Sequence, residues 1–223
     1  MTSAPLAGEP VGVNRWTEGE HAQWYLDRRA SLPHRLEGDL ALTEVLPQGQ
    51  PRVLDLGTGD GYTLGLLLAA YPALSGIGLD FSAEMLGRAR ARFADTPDIE
   101  IVEHDLDEPL PASLGEFDLV VSSFAIHHCA HARKRALYGE VFALLEPGGM
   151  FANLEHVASP TPELHEAFLA AIGITPADDD PSNKLLDVET QLGWLREIGF
   201  ENVDCHWKWR ELALLCGVKP ARR

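Results

Sequence analysis

Arg52–Tyr62, RVLDLGTGDGY, decides how the rest of the chain is read. Val53, Leu54 and Leu56 form a short apolar run that carries one acid, Asp55. It breaks at Gly57, Gly59 and Gly61 into a second apolar stretch. This is a strand turning sharply into a helix, and such a turn needs left-handed backbone, which glycine adopts without strain. Missing side chains also let a ligand approach N–H groups at a helix N-terminus. Dinucleotides and other adenosine ligands both exploit that arrangement, but the dinucleotide fingerprint requires GxGxxG. Tyr62 stands where its third glycine would be and the spacing is GxGxG, which disfavours an NAD-dependent oxidoreductase. Asp80 closes the next apolar run, about 20 residues past the loop, where an acid is placed to bond a ribose diol.

Outward from the loop the pattern alternates. Strands are predicted at Val53–Leu56, Ser75–Asp80, Ile99–Glu103, Phe117–Ser122 and Met150–Glu155. Helices are predicted at Gly61–Tyr71, from the N-cap Ser82 to Phe93, and at Arg133–Leu145 with a stop at Glu146-Pro147-Gly148-Gly149. Strands alternating with helices imply a doubly wound, mostly parallel sheet covered on both faces. Thr161-Pro162 and Asp187 then open two further helices that stop at Gly173 and Gly199. Phe200–Trp207 and Trp209–Cys216 read as a final hairpin, so one of these strands runs antiparallel to its neighbours. Before the loop, Thr17–Glu20 fits a capping box for a helix to Ala30, and a second helix spans Leu36–Leu46. The division is thus residues 1–48 as a loose leader (1–14) and cap helices, and 49–223 as one domain with an insert at 157–187.

At 223 residues the chain fits one domain, and 45% hydrophobic residues supply a core. The net charge of −16 repels polyphosphate, so nucleic acid is a poor partner. Three cysteines without metal-type spacing suit a reducing compartment. With no signal peptide and no apolar stretch long enough for a bilayer, the expectation is a soluble cytoplasmic protein.

VLDLGTGDG (53–61), GLDFSAEML (78–86), EHDLDEPLP (103–111), FDLVVSSFAIHHC (117–129) and LLEPGGMF (144–151) together resemble a class I S-adenosylmethionine-dependent methyltransferase, in that family's order and spacing. The resemblance implies a Rossmann-like seven-stranded sheet with an antiparallel last strand. It also implies S-adenosylmethionine as methyl donor. The backbone of Gly57, Thr58 and Gly59, with Asp55, would hold the methionine part, and Asp80 the ribose. Phe81 and Met85 would flank adenine, Asp105 and Leu106 would contact its edge, and Ser122 would face the methionine moiety.

The acceptor is expected beyond the strand ends, where ligands sit in open α/β sheets. His127 and His128 are candidate bases because imidazole titrates near neutrality; packing or cofactor shaping is their other reading. Asn153, Glu155 and His156 line the same end. Trp16, Tyr25, Arg28 and Arg35 are candidates for a lid; the bland alternative is helices packed on the sheet with solvated charges. His127, His128, Glu155 and His156 could converge on a metal, but neutral core histidines explain them equally and no metal is assigned. Trp207 and Trp209 are expected to bury against a helix, with a wall of the acceptor pocket or a homodimer contact as the lesser alternatives, and Asp178–Asp180 to form a solvated turn rather than a cation site.

The leading function is methyl transfer to a small-molecule acceptor. Wobble-uridine modification of transfer RNA and a non-catalytic S-adenosylmethionine-binding regulator stand as alternatives.

Overall fold

The structure is a computed structural model and describes residues 32–46 and 49–222. Trp16, Tyr25, Arg28 and the capping box at Thr17 lie outside the described residues. The first described helix, α1, is Arg35–Val45. β1 (Arg52–Leu56) leads through the glycine loop into α2 (Tyr62–Ala70). β2 (Ser75–Asp80), α3 (Ala83–Arg92), β3 (Ile99–Glu103) and β4 (Phe117–Ser123) continue the alternation. A one-turn 3-10 helix at Ile126–His128 then precedes α4 (His131–Leu144) and β5 (Leu145–His156). After α5 (Pro162–Ala171) and α6 (Val188–Ile198) come β6 (Glu201–Trp209) and β7 (Leu212–Val218).

The seven strands lie in the order β3-β2-β1-β4-β5-β7-β6. β1 to β5 pair in parallel, and β7 runs antiparallel to both β5 and β6. The expected Rossmann-like architecture with a reversed last strand is the one found. Two apolar clusters form where helices cover the sheet. One packs Leu54, Phe117, Tyr138, Phe151 and Leu195, and the other Val53, Leu64, Leu119, Leu154 and Leu214. Alternate residues of β1 and β4 feed the two clusters, as a strand buried on both faces requires.

Most boundaries follow from local chemistry. Thr161 Oγ1 accepts from Leu164 N and Asp187 Oδ1 from Thr190 N, so both expected caps form. Gly199 ends α6 in left-handed backbone, φ 118°. Ser82 occupies the N-cap of α3 but makes no capping bond with its side chain. Two expectations shift. β5 begins at Leu145, because Leu145 already pairs with Phe117 before residues 146–149 bulge out and Met150 resumes pairing with Leu119. The final hairpin turns at Arg210 and Glu211, with Arg210 in left-handed backbone (φ 50°), so no glycine marked that turn in the sequence. Trp207 packs on α1, within 3.1 Å of where a Cβ on Gly38 would stand, and Trp209 stacks on His34 and contacts Phe168. Burial against helices is therefore the tryptophans' role. Among the described residues no helix is long and apolar enough to cross a membrane.

Candidate active site

At the carboxyl ends of β1, β2 and β4 the surface opens into a cleft lined by both polar and apolar side chains. Its floor is the glycine loop. Gly57, Gly59 and Gly61 all have left-handed φ (71°, 56°, 78°), the requirement anticipated for this turn. The three differ in what surrounds them. A Cβ on Gly57 would stand 2.1 Å from the Ala125 Cβ, whereas one on Gly59 would meet nothing within 4 Å. Gly57 is thus glycine for packing, and Gly59 for backbone shape beside open space.

Neighbouring elements hold the loop. Arg92 of α3 donates to the Asp60 carbonyl (2.8 Å) and carboxylate (2.9 Å). Asp80, ending β2, accepts from Gly59 N at 2.8 Å and from Ser82 N at 2.9 Å, clasping the loop and the start of α3 together. Burial raises its pKa above the ordinary 3.8. Phe81, Met85 and Leu106 supply an apolar wall, with His104, Asp105 and Asp107 at its rim. Arg133 of α4 fixes that rim by donating to the carbonyls of Leu106 (2.6 Å) and Glu108 (2.8 Å).

At the other end stand Arg35, Tyr62, Ser123 and Phe124. Phe124 is held in left-handed backbone (φ 54°), its N–H donating to Leu154 O at 2.8 Å. An aromatic residue in that region is uncommon, and such strain concentrates at functional sites. His128 also lines the cavity, and its Nδ1 pairs with Ser182 Oγ at 3.0 Å.

Six residues expected at the site do not line the cavity. Ser122 is buried and donates to Leu56 O at 2.9 Å; Ser123, one residue on, takes the cavity face. Asp55 lies beneath the loop, fully buried, its Oδ2 accepting from the Thr58 hydroxyl at 2.7 Å. His127, Asn153, Glu155 and His156 lie behind the wall. His127 Nδ1 pairs with Glu155 Oε1 at 2.7 Å, and Glu155 also accepts from His156 N and Asn153 Nδ2. Asn153 continues to Tyr138, whose hydroxyl donates to Gln191 at 2.6 Å. Burial holds both His127 and His128 well below 6.5, so both are neutral at physiological pH. The 3-10 turn separates them: successive residues point a third of a turn apart, and His128 alone of the pair reaches the cavity.

The four side chains suspected of converging do gather, with His127 and His156 ring centroids 5.5 Å apart. Only His127 and Glu155 bond each other through their side chains, while His128 turns to Ser182 and the His156 ring to Glu211; among the described residues no group of three or more His, Cys, Asp or Glu is placed to hold a metal. Residues 182–186 strap across the turn. Lys184 N donates to His127 O at 2.9 Å, Lys184 Nζ to His128 O at 2.6 Å, and buried Lys134 Nζ to His127 O at 3.2 Å. Sequence reasoning missed Tyr62 and His104 as wall residues, and Ser182 as the partner of His128.

The arrangement fits an adenosyl ligand. It offers an apolar slot at Met85 and Leu106, a carboxylate at Asp80, and open space before Gly59. Beneath them Asp55 Oδ1 is buried without a hydrogen-bond partner among the described residues.

Residues 53–149 match the family model of a methyltransferase domain. Among curated proteins, an uncharacterized methyltransferase of Synechocystis is 39% identical over 107 residues, 47% of this chain and 46% of that protein. A malonyl-[acyl-carrier protein] O-methyltransferase of Methylococcus capsulatus is 30% identical over 168 residues, 74% of this chain and 58% of that protein. The chain spans about half the length of the curated relatives it matches. Among solved structures, an O-methyltransferase family protein from Burkholderia thailandensis superposes with a TM-score of 0.72 at 21% identity, covering 94% of this chain and 63% of that one. At that identity the likeness speaks for the fold.

Proposed function

Because residues 53–149 belong to the class I S-adenosylmethionine-dependent methyltransferases, we propose that this chain transfers a methyl group from S-adenosylmethionine, held in the cavity over the glycine loop, to a small-molecule acceptor. One observation carries the reading: Asp80 lies on the cavity floor, fixed by two backbone N–H groups, between the glycine loop and the apolar slot of Met85 and Leu106. The slot takes adenine with Phe81 and Asp105 at its sides, Asp80 takes the ribose, and Gly57–Gly59 back the methionine part.

The bound donor supplies an activated methyl on a sulfonium that is already a good leaving group. The protein's task is mainly to align acceptor, methyl and sulfur, which is worth up to roughly 7–11 kcal/mol of barrier when geometry is optimal. His128, neutral and bordering the cavity, is the one histidine of the pair positioned to take a proton from an acceptor; His127 shapes the turn that presents it. The insert at 157–187, through the Ser182–Lys184 strap on His128, builds the acceptor wall. Some relatives act, by name, on malonyl-[acyl-carrier protein], so carboxylic acids and carrier-bound acids are the first acceptors to screen.

Calorimetry tests the donor assignment. S-adenosylmethionine and S-adenosylhomocysteine should bind and NAD should not; preferential NAD binding would overturn it. Asp80→Ala should weaken S-adenosylhomocysteine binding by about 1–3 kcal/mol through lost charge-assisted hydrogen bonds.

A further inference from the structure

The insert at 157–187 reaches the cavity wall through a turn that its sequence spells out. In Asp180-Pro181-Ser182-Asn183, Pro181 presets φ at the second position and the Asp180 carboxylate is placed to bond the backbone two residues on. Both turn bonds form: Asn183 N donates to Asp180 O at 3.1 Å, and Ser182 N to Asp180 Oδ1 at 2.9 Å. The turn carries Ser182 inward, where it is 4% exposed and its Oγ lies 3.0 Å from His128 Nδ1.

The other bonds between insert and 3-10 turn run to main-chain carbonyls or come from residues outside the cavity wall. Lys184 donates from N and Nζ to the carbonyls of His127 and His128, and buried Lys134 Nζ donates to those of His127 and Lys184. His131 Nε2 lies 3.2 Å from Leu185 O. These contacts already fasten the insert. The Ser182 contact differs because it addresses the imidazole that borders the cavity, from a side chain that does not line it.

A hydroxyl can donate to a ring nitrogen or accept from it, and the choice decides what the other nitrogen can do. Negative charge settles that choice. The Asp180 carboxylate is fixed against Ser182, and with Glu155 it opposes the burial and the neighbouring His127 that hold His128 below 6.5. A carboxylate on the Nδ1 side favours a proton on Nδ1, as the buried aspartate of a Ser-His-Asp triad does. Resting on the methyl-transfer reading above, we infer that Ser182 is a positioning residue whose hydroxyl accepts from His128 Nδ1–H, so that Nε2 keeps its lone pair as the base toward the acceptor. The acceptor's proton passes to Nε2, and the acceptor's electron pair forms the bond to the methyl carbon. The C–S bonding pair stays on sulfur, and the sulfonium becomes a thioether. Asp180 stabilises the resulting imidazolium through Ser182, and the proton then leaves to solvent. The insert thereby sets the tautomer of the base as well as closing the wall.

Long-range proton–nitrogen NMR on the full, isotopically labelled chain reads the tautomer of each histidine, and His128→Gln identifies the signals of His128. The wild type should hold neutral His128 in the Nδ1–H form. Ser182→Ala should move the ratio toward Nε2–H by about fivefold, the worth of one neutral hydrogen bond. Ser182→Thr keeps the hydroxyl and should restore the wild-type ratio. Lys184→Met loosens the strap without touching Nδ1 and should leave the ratio unchanged. A wild type in the Nε2–H form would overturn the inference, as would a ratio unmoved by Ser182→Ala or moved equally by Lys184→Met. Spectra are taken with and without S-adenosylhomocysteine: a wild type that does not bind it fails the donor reading, and the tautomer is still read on the free chain.

Discussion

Asp55 and Glu211 are both fully buried carboxylates, one beneath the glycine loop and one in the β6–β7 turn, and their surroundings drive them in opposite directions. Burial raises Asp55 to about 7; the Thr58 hydroxyl bond opposes this, while Asp80 and Asp60 push further upward. Burial would raise Glu211 too, yet hydrogen bonds from His156, Ser159 and His165 outweigh it and hold its pKa below 4.5. His156 Nε2 lies 2.9 Å from one Glu211 oxygen and His165 Nδ1 3.0 Å from the other. Glu211 is answered on each side by the fold itself and joins α5 to the last hairpin. Asp55 has one oxygen without a partner among the described residues, near other acids, under an open cavity. A buried acid completed by the protein is structural. A buried acid left incomplete beside a cavity marks where a positively charged ligand would lower the energy, as a cationic methyl donor would.

Removing Glu211 should have the largest effect. Glu211→Ala leaves His156 and His165 facing a void and should cost about 3–5 kcal/mol in denaturant unfolding near pH 6. A cost under about 1 kcal/mol would break the contrast with Asp55. Asp55→Asn should act the other way. The folded state holds the Asp55 proton up to about pH 7, whereas the unfolded chain releases it near 3.8, so ionisation weakens folding progressively across that interval. Asp55→Asn should therefore gain stability relative to wild type as pH rises from about 4 to 8, reaching a few kcal/mol. A pH-independent difference would show that Asp55 is already ionised in the fold.

Gly59→Ala should cost about 1–2 kcal/mol, the strain of left-handed backbone alone, since its Cβ meets no atom. Its effect on S-adenosylhomocysteine binding should be larger, because the methyl group intrudes on the cavity; equal losses would place the ligand elsewhere. The smallest effect belongs to His165, which is partly exposed. Its pKa is raised by Glu211 against the opposing effect of burial, so its contribution is complete below 6.5 and lost as pH rises through the raised value. Glu211 contributes above 4.5 and loses that contribution as pH falls through its depressed value. His165→Ala should thus cost about 0.5–1 kcal/mol between roughly pH 4.5 and 6.5, and less at pH 8.

What was legible in the sequence is unevenly spread across the same contrast. The glycine loop, Asp80 and the caps at Thr161 and Asp187 were readable because each is decided by residues within a few positions. Ser122 was displaced by one residue because β4, buried on both faces, gives no polar alternation to phase it. His127 and His128 were inseparable because adjacent histidines in a helical turn diverge only once the turn is known. Glu211 was invisible: its partners His156 and His165 lie 55 and 46 residues away, joined only by the sheet order. Arg35 was found by residue type and its i,i+4 partner Asp39 lies on the same helix, but its place at the cavity depends on Ser123, 88 residues away, which nothing in the local sequence connects.

The sheet order carries one more consequence, in the order of synthesis. Of the seven described strands β7 comes last in the chain, yet it lies between β5 and β6 rather than at the edge. Until residues 212–218 leave the ribosome, β5 has one open edge and β6 has no strand to pair with. The Glu211 turn, and with it the floor beneath α5, cannot form before then. A nascent chain arrested before residue 212 should already carry the glycine loop and its β1–β4 frame, but not the wall opposite. Ribosome-arrested chains of increasing length should gain resistance to proteolysis in two steps, with the second appearing only after β7 emerges.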